Sequence, residues 1–237
     1  MPSTLEALDA LRKAGHFVTL ATGRSRFLAE SVIRELQFEN YILCNGAAGF
    51  FNHQQVFKET LDQQALTTLI EVCQARGIDT AIVQLDQSKR LSSFDLEKMQ
   101  DAMTSFGSTA SELGELAHDD EVYQALAYYE KDCDPLFEGQ HPAFNFVRWH
   151  EKCVDVIPAN GSKARTLLAL AERLGIDRAD IIGFGDGLND REMLRESGIG
   201  VAMGNASLLV QQEADLVTKD HNHDGIWHAL KELHLID

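Results

Sequence analysis

The hydrophobic pattern changes period along the chain, and those changes mark out its elements. Leu5, Leu8 and Leu11 recur at helical spacing behind Pro2, Ser3 and Thr4. Ser3 and Glu6 stand at capping-box spacing, and Gly15 ends the helix. Residues 16–22 (HFVTLAT) are β-branched and apolar enough for a buried strand, which Gly23 closes. Ser25 can cap a helix running to Leu36, and a short apolar run at 41–44 stops at Asn45-Gly46. Strand alternating with helix at this spacing predicts an α/β fold with a doubly wound parallel sheet.

The last third repeats that rhythm. Ser162 caps a helix carrying Leu167, Leu168, Leu170 and Leu174, closed by Gly175. Residues 180–185 form a strand ending at Asp186, and a helix through Met193 and Leu194 stops at Gly198. A strand at 200–203, a short helix from Ser207, a strand at 216–218 and a helix over 226–233 complete the chain. The middle differs. Helices are predicted at 62–76 and 94–106, and strands at 80–85, 122–129, 145–149 and 153–157, where aromatic and β-branched residues collect. The pattern predicts an α/β core in two chain segments, 1–57 and 158–237, split by an inserted α+β domain over 58–157.

Charge narrows the function classes. Lys and Arg total 21 against 37 Asp and Glu, a formal net charge of −16. Such a chain gains nothing from nucleic-acid phosphates or anionic membranes, so neither is expected as a partner. Any phosphorylated ligand must be held by local groups. Apolar runs all fall short of the roughly 18 residues of a membrane span, and the first residues read as neither signal nor leader. Cys44, Cys73, Cys133 and Cys153 lie far apart and read as reduced thiols of a cytoplasmic protein.

In an open parallel sheet, ligands bind beyond the carboxyl ends of the strands. Thr22-Gly23-Arg24, Asn45-Gly46-Ala47, Asp186-Gly187-Leu188-Asn189-Asp190 and Gly204-Asn205-Ala206 follow the core strands, and all are small and polar. Asp186 and Asp190 straddle a glycine-bearing turn, a donor set suited to Mg²⁺, although Asp190 capping the next helix would read the same. Lys163 at a helix start joins a cation to free backbone N–H groups, an anion site, although a solvated lysine also fits. Thr22 with the Gly23 amide offers a hydroxyl and an N–H to an anion. Other patterns fail. Leu188 takes the place of the third glycine in a dinucleotide fingerprint, and Lys231 stands where a calcium loop starting at Asp220 needs Glu. His221, His223 and His228 read as a polar turn before the last helix.

Together and in order, Leu20-Ala21-Thr22-Gly23-Arg24, Cys44-Asn45-Gly46-Ala47, Ser162-Lys163, residues 184–190 and residues 201–206 resemble the haloacid dehalogenase-like hydrolases, in particular their Cof-type phosphatases. The resemblance implies that Thr22 and the Gly23 amide bind the transferring phosphoryl group and that Lys163 neutralises it. It implies that Asp186 ligates Mg²⁺, that Asp190 supports the metal's water shell, and that Asn189 contacts the phosphate or a water. On this reading Lys163 and Asp190 are catalytic. The inserted domain would be a cap that selects a small phosphorylated metabolite, such as a sugar phosphate or a phosphorylated cofactor.

One departure follows from the same resemblance. The family's first motif, Asp-x-Asp-Gly-Thr, which carries the nucleophile and the general acid/base, does not occur in these residues, and the earliest aspartate, Asp9, falls within the first helix. The strand bearing that motif would be central to the sheet, so its neighbours are expected to keep unpaired backbone groups and an uncovered apolar face. The expectation is a truncated Cof-type phosphatase, through a misplaced start or gene erosion, with little turnover. Its alternative is a non-catalytic protein that binds a phosphorylated ligand or associates with itself through the exposed sheet. A phosphomutase of the same superfamily fits less well, because its cap usually lies between the first and second motifs.

Overall fold

Local chemistry sets the element boundaries in the computed structural model, which describes residues 2–105 and 107–236. The first segment contains α1 (Pro2–Lys13), β1 (Leu20–Ala21), α2 (Arg26–Glu35), β2 (Tyr41–Leu43), β3 (Ala48–Phe51) and β4 (Gln54–Lys58). The middle contains α3 (Gln63–Gln74), β5 (Asp79–Val83), β6 (Ser88–Arg90), α4 (Leu96–Thr104), β7 (Gln124–Tyr128), β8 (Phe144–His150) and β9 (Cys153–Pro158). The last segment contains α5 (Lys163–Leu174), β10 (Ile182–Gly185), α6 (Arg191–Glu196), β11 (Ile199–Ala202), α7 (Leu208–Gln211), β12 (Leu216–Val217) and α8 (Gly225–Glu232). Asp62, Asp95 and Ser162 cap α3, α4 and α5 by accepting the backbone N–H of Ala65, Lys98 and Arg165. Gly175 ends α5 in the left-handed region at φ 68°.

The chain divides into two compact units. The first comprises Met1–Gly23, Glu30–Phe57 and Ser162–Asp237; the second comprises Arg24–Ala29 and Lys58–Gly161.

In the first unit, β1 and β2 run parallel and β3 and β4 continue the sheet, while β10, β11 and β12 form a second, parallel sheet. The class is α/β, as the periodicity predicts, but the sheet is divided. Close backbone approach fixes the helices on it. A Cβ on Gly49 of β3 would lie 2.9 Å from Thr166 Cγ2 of α5, and one on Gly200 of β11 only 2.3 Å from the Leu194 carbonyl of α6. Leu194, Ala202, Ala206 and Val210 are buried together beneath that contact.

The second unit is built on a five-stranded sheet in the order β6-β5-β7-β9-β8, with antiparallel pairing throughout. Alternation along the strands serves two cores. Ile82, Ala125, Val154 and Val156 cluster with Leu66, Leu69 and Cys73 of α3, while Ala81, Val83, Leu126 and Cys153 cluster with Met99 and Met103 of α4. Buried Asp79 anchors the chain entering α4, accepting from Ser92 Oγ and from the N–H groups of Phe94 and Asp95.

Several expectations need correction. Ser3 does not cap α1, because its hydroxyl donates to Asp224 Oδ1 at 2.5 Å. Ser25 Oγ is buried without a hydrogen-bond partner, so the α2 start rests on backbone geometry. The strand predicted at 16–22 shrinks to Leu20–Ala21, since among the described residues β2 alone pairs with it. The β3–β4 hairpin was absent from the predicted pattern; its turn residues Asn52 and His53 both have positive φ, and Asn52 was the available signal. β6 is short and polar, which hides it from any apolar pattern. Of the helix predicted at 94–106, position 106 lies outside the described residues.

Leu66→Ala should cost about 2–5 kcal/mol by urea denaturation, because the fully buried side chain leaves a cavity between α3 and the sheet.

Candidate functional site

Each candidate residue is held by the end of a regular element in the first unit. β1 delivers Thr22, whose N–H donates to the Ile42 carbonyl at 2.9 Å and whose carbonyl accepts from Asn45 N at 3.2 Å. After β2 the chain tightens into a 3₁₀ turn over Cys44–Gly46, with Asn45 in the left-handed region at φ 55°. Gly46 has φ 100°, and a Cβ there would fall 2.2 Å from the Ser162 carbonyl oxygen. Only glycine allows this turn to lie against the start of α5. Thr166 Oγ1 fastens the contact by donating to the Gly46 carbonyl at 2.5 Å.

The Ser162 cap sets the first turn of α5 and buries Lys163. Lys163 Nζ donates to Asp190 Oδ1 at 2.7 Å, with side chains only 5% and 9% exposed. The other Asp190 oxygen accepts the N–H groups of Asp186 at 3.1 Å and Gly187 at 2.9 Å. One carboxylate therefore ties α5 to the loop after β10. Gly185 permits it, since a Cβ there would meet Asp190 Cβ at 2.5 Å. Asn189 Nδ2 donates to Asn45 Oδ1 at 2.8 Å, and Asn205 Nδ2 to Asp186 Oδ2 at 2.8 Å. Gly23 lies against Asn45, where a Cβ would be 2.8 Å from Oδ1.

These contacts join the loops after β1, β2, β10 and β11 to the start of α5, so Thr22, Gly23, Lys163, Asp186, Asn189 and Asp190 share one end of the unit. Asn45 and Asn205 also belong to this cluster, although the sequence reading assigned them no role. Asparagine directly after a core strand was the signal, because it tolerates left-handed backbone and can both donate and accept.

The chemistry of the donors bears on a metal. Among the described residues, no group of three or more His, Cys, Asp or Glu side chains gathers to hold an ion. Both Asp190 oxygens are committed to Lys163 and the loop amides, whereas the Asp186 side chain is exposed. One exposed carboxylate fits Mg²⁺, which keeps several waters and takes few protein ligands. The turn at 220–224 is closed by its own bonds, with His223 Nδ1 2.7 Å from Asp220 Oδ2 and the Asn222 N–H donating to Asp220 Oδ1. The Asp220 carboxyl is held below its usual range, first by His223 and then by that amide.

A family model described as haloacid dehalogenase-like hydrolase matches residues 1–230. YkrA of Bacillus subtilis is 34% identical over 235 residues, covering 99% of this chain and 91% of that protein. The pyridoxal phosphate phosphatase YbhA of Escherichia coli is 28% identical, over 95% of this chain and 89% of its own length. Among solved structures, the subclass IIB sugar phosphatase BT4131 superposes with a TM-score of 0.88 at 28% identity, covering 100% of this chain and 92% of that one.

Asp190→Ala should destabilise the fold by about 3–5 kcal/mol in urea, because Lys163 would remain buried without its counter-charge. Replacing the pair together by Met and Leu should cost markedly less in the same measurement.

Proposed function

The chain belongs to the haloacid dehalogenase-like hydrolase family, and from that premise we propose that its strand-end cluster binds the phosphoryl group of a small phosphorylated metabolite, in the manner of a Mg²⁺-dependent Cof-type phosphatase. By family it is a phosphoric-monoester hydrolase. The observation that carries the proposal is the set of side-chain bonds joining Asn45 to Asn189 and Lys163 to Asp190, which brings the phosphate-binding candidates together.

In this reading the Thr22 hydroxyl and the Gly23 N–H donate to the phosphoryl oxygens. Lys163, oriented by Asp190, brings positive charge to an otherwise acidic chain. Asn189 contacts the phosphate or a water on it. Phosphoryl transfer depends on positioning and charge neutralisation, which these groups supply. Asp186 would hold Mg²⁺, with Asp190 supporting its water shell; the ion would supply charge neutralisation at the phosphoryl oxygens. The inserted unit would select the substrate, and relatives named for a sugar phosphate and for pyridoxal phosphate support those classes. The setting is taken as cytoplasmic. No described helix is long and apolar enough to cross a membrane, and Cys73 and Cys153 are buried free thiols. Burial pushes the Cys73 thiol up to about 12.

Asp-x-Asp-Gly-Thr is not found in the 237 residues, so the group that would attack phosphorus in the family's covalent mechanism is not supplied by them. That supports weak turnover by these 237 residues on their own.

Hydrolysis of p-nitrophenyl phosphate with Mg²⁺ is expected to stay near the buffer rate for this chain, with inorganic phosphate still raising its melting temperature. Lys163→Ala should abolish that thermal shift. Robust turnover that Asp186→Ala eliminates would contradict the weak-turnover proposal.

A further inference from the structure

The amino ends of β1 and β2 carry a different chemistry from their carboxyl ends. There the end of α1, the entry to β1, the segment after α2 and the β3–β4 turn surround a cavity of about 510 Å³. Small-molecule sites span roughly 300–1,000 Å³. The candidate phosphoryl residues follow the carboxyl ends of the same parallel strands, so the cavity lies at the opposite end of the first unit's sheet. Catalytic ligands of open α/β sheets sit at the carboxyl ends, which leaves this cavity outside the phosphoryl site.

Asn40 gives the cavity a buried polar group. Its residue is only 8% exposed, and its Oδ1 accepts the Asn52 N–H at 3.1 Å. That donor fixes which end of the side-chain amide is oxygen, so the end left over is an NH₂. Among the described residues, Asn40 Nδ2 donates to nothing. A buried donor left unpaired is costly, and an acceptor entering the cavity would satisfy this one. Phe17 and Phe51 form a wall beside it, their rings 6.0 Å apart and 19° from parallel. Phe17 is 38% exposed and offers its ring for stacking.

The charged groups decide what kind of ring fits. Arg12 also lines the cavity, but its Nη2 donates to the Leu36 and Gln37 carbonyls at 2.7 and 3.2 Å. Its Nη1 lies 3.6 Å from Asp9 Oδ1, so the guanidinium is already matched. Exposed Glu39 adds a carboxylate to the lining, in a chain whose net charge is −16. An anion gains nothing here, whereas hydroxyl donors do. A ring to stack, a carbonyl on its edge, several hydroxyls and no charge describe a nucleoside.

We propose that this cavity binds an uncharged nucleoside. The base stacks on Phe17 and Phe51, a base carbonyl accepts from Asn40 Nδ2, and sugar hydroxyls donate to the Glu39 carboxylate. The proposal does not depend on phosphate binding, and its test reads neither hydrolysis nor phosphate.

The probe is inosine, titrated into the 237-residue chain and followed by NMR. Saturable shifts with one dissociation constant are expected at the Asn40 side-chain amide and at the rings of Phe17 and Phe51, with a rise in melting temperature. Benzimidazole riboside keeps a flat ring and the sugar without the carbonyl, and should bind about five- to tenfold more weakly. Phe17→Leu should lower inosine affinity about three- to tenfold while circular dichroism reports an intact fold. Asn40→Asp keeps the acceptor for the Asn52 N–H and removes the donor, and should lower affinity at least about tenfold. Equal affinity for the two ribosides would overturn the proposal, reducing the cavity to an apolar stacking surface. Inosine affinity untouched by Phe17→Leu would overturn it too, as would the absence of any shift at Asn40 in millimolar inosine. Shifts at Gly23 and Lys163 in place of Asn40 and Phe17 would overturn it in favour of the phosphoryl cluster as the nucleoside's site.

Discussion

The buried bond between Lys163 and Asp190 is the constraint on which the site depends. Two charges this deeply enclosed are tolerated only when they satisfy each other and their remaining hydrogen-bonding capacity is met. Asp190 meets that demand with both oxygens, one for the ammonium and one for the amides of Asp186 and Gly187. The loop after β10 and the start of α5 are consequently locked together, and Asp186, Asn189 and Lys163 take their places from that lock. Glycine at 46 and 185 leaves room for the approach, since a Cβ at either position would overlap its neighbours. Asn45 extends the same network to the end of β1.

The second constraint is backbone pairing. A parallel sheet buries both faces and demands partners on both edges. In the first unit this demand is met within each of two sheets and left open between them, where backbone and apolar surface line the same cavity. That explains why β1 is only two residues long although six apolar or β-branched positions over 17–22 invited a longer strand. Strand length reflects pairing as much as side-chain preference.

Much of this was legible in the sequence because local signals and long-range geometry agree. Ser162 and Gly175 bracket α5, and the polar residues after each core strand were identifiable from position alone. The less legible parts have particular causes. The β3–β4 hairpin depends on positive φ at Asn52 and His53, and β6 is a polar edge strand whose pairing is set by β5. Ser3 and Ser25 sit in cap-like contexts, yet Ser3 bonds Asp224, a partner 221 positions away that no local pattern could indicate. Asp190 read as a companion to Asp186 toward a metal. Its hydrogen bonds to Lys163 and the loop amides required the fold to bring α5 against β10.

The central claim is that the residues gathered by this network form a single phosphoryl site. Its most direct test is an amide and side-chain NMR titration of the chain with inorganic phosphate. The account predicts saturable shifts with one common dissociation constant at the Gly23 and Lys163 amides and at the Lys163 side chain, lost together in Lys163→Ala. Shifts scattered over the surface, or a saturating response elsewhere that leaves Gly23 and Lys163 unmoved, would contradict it.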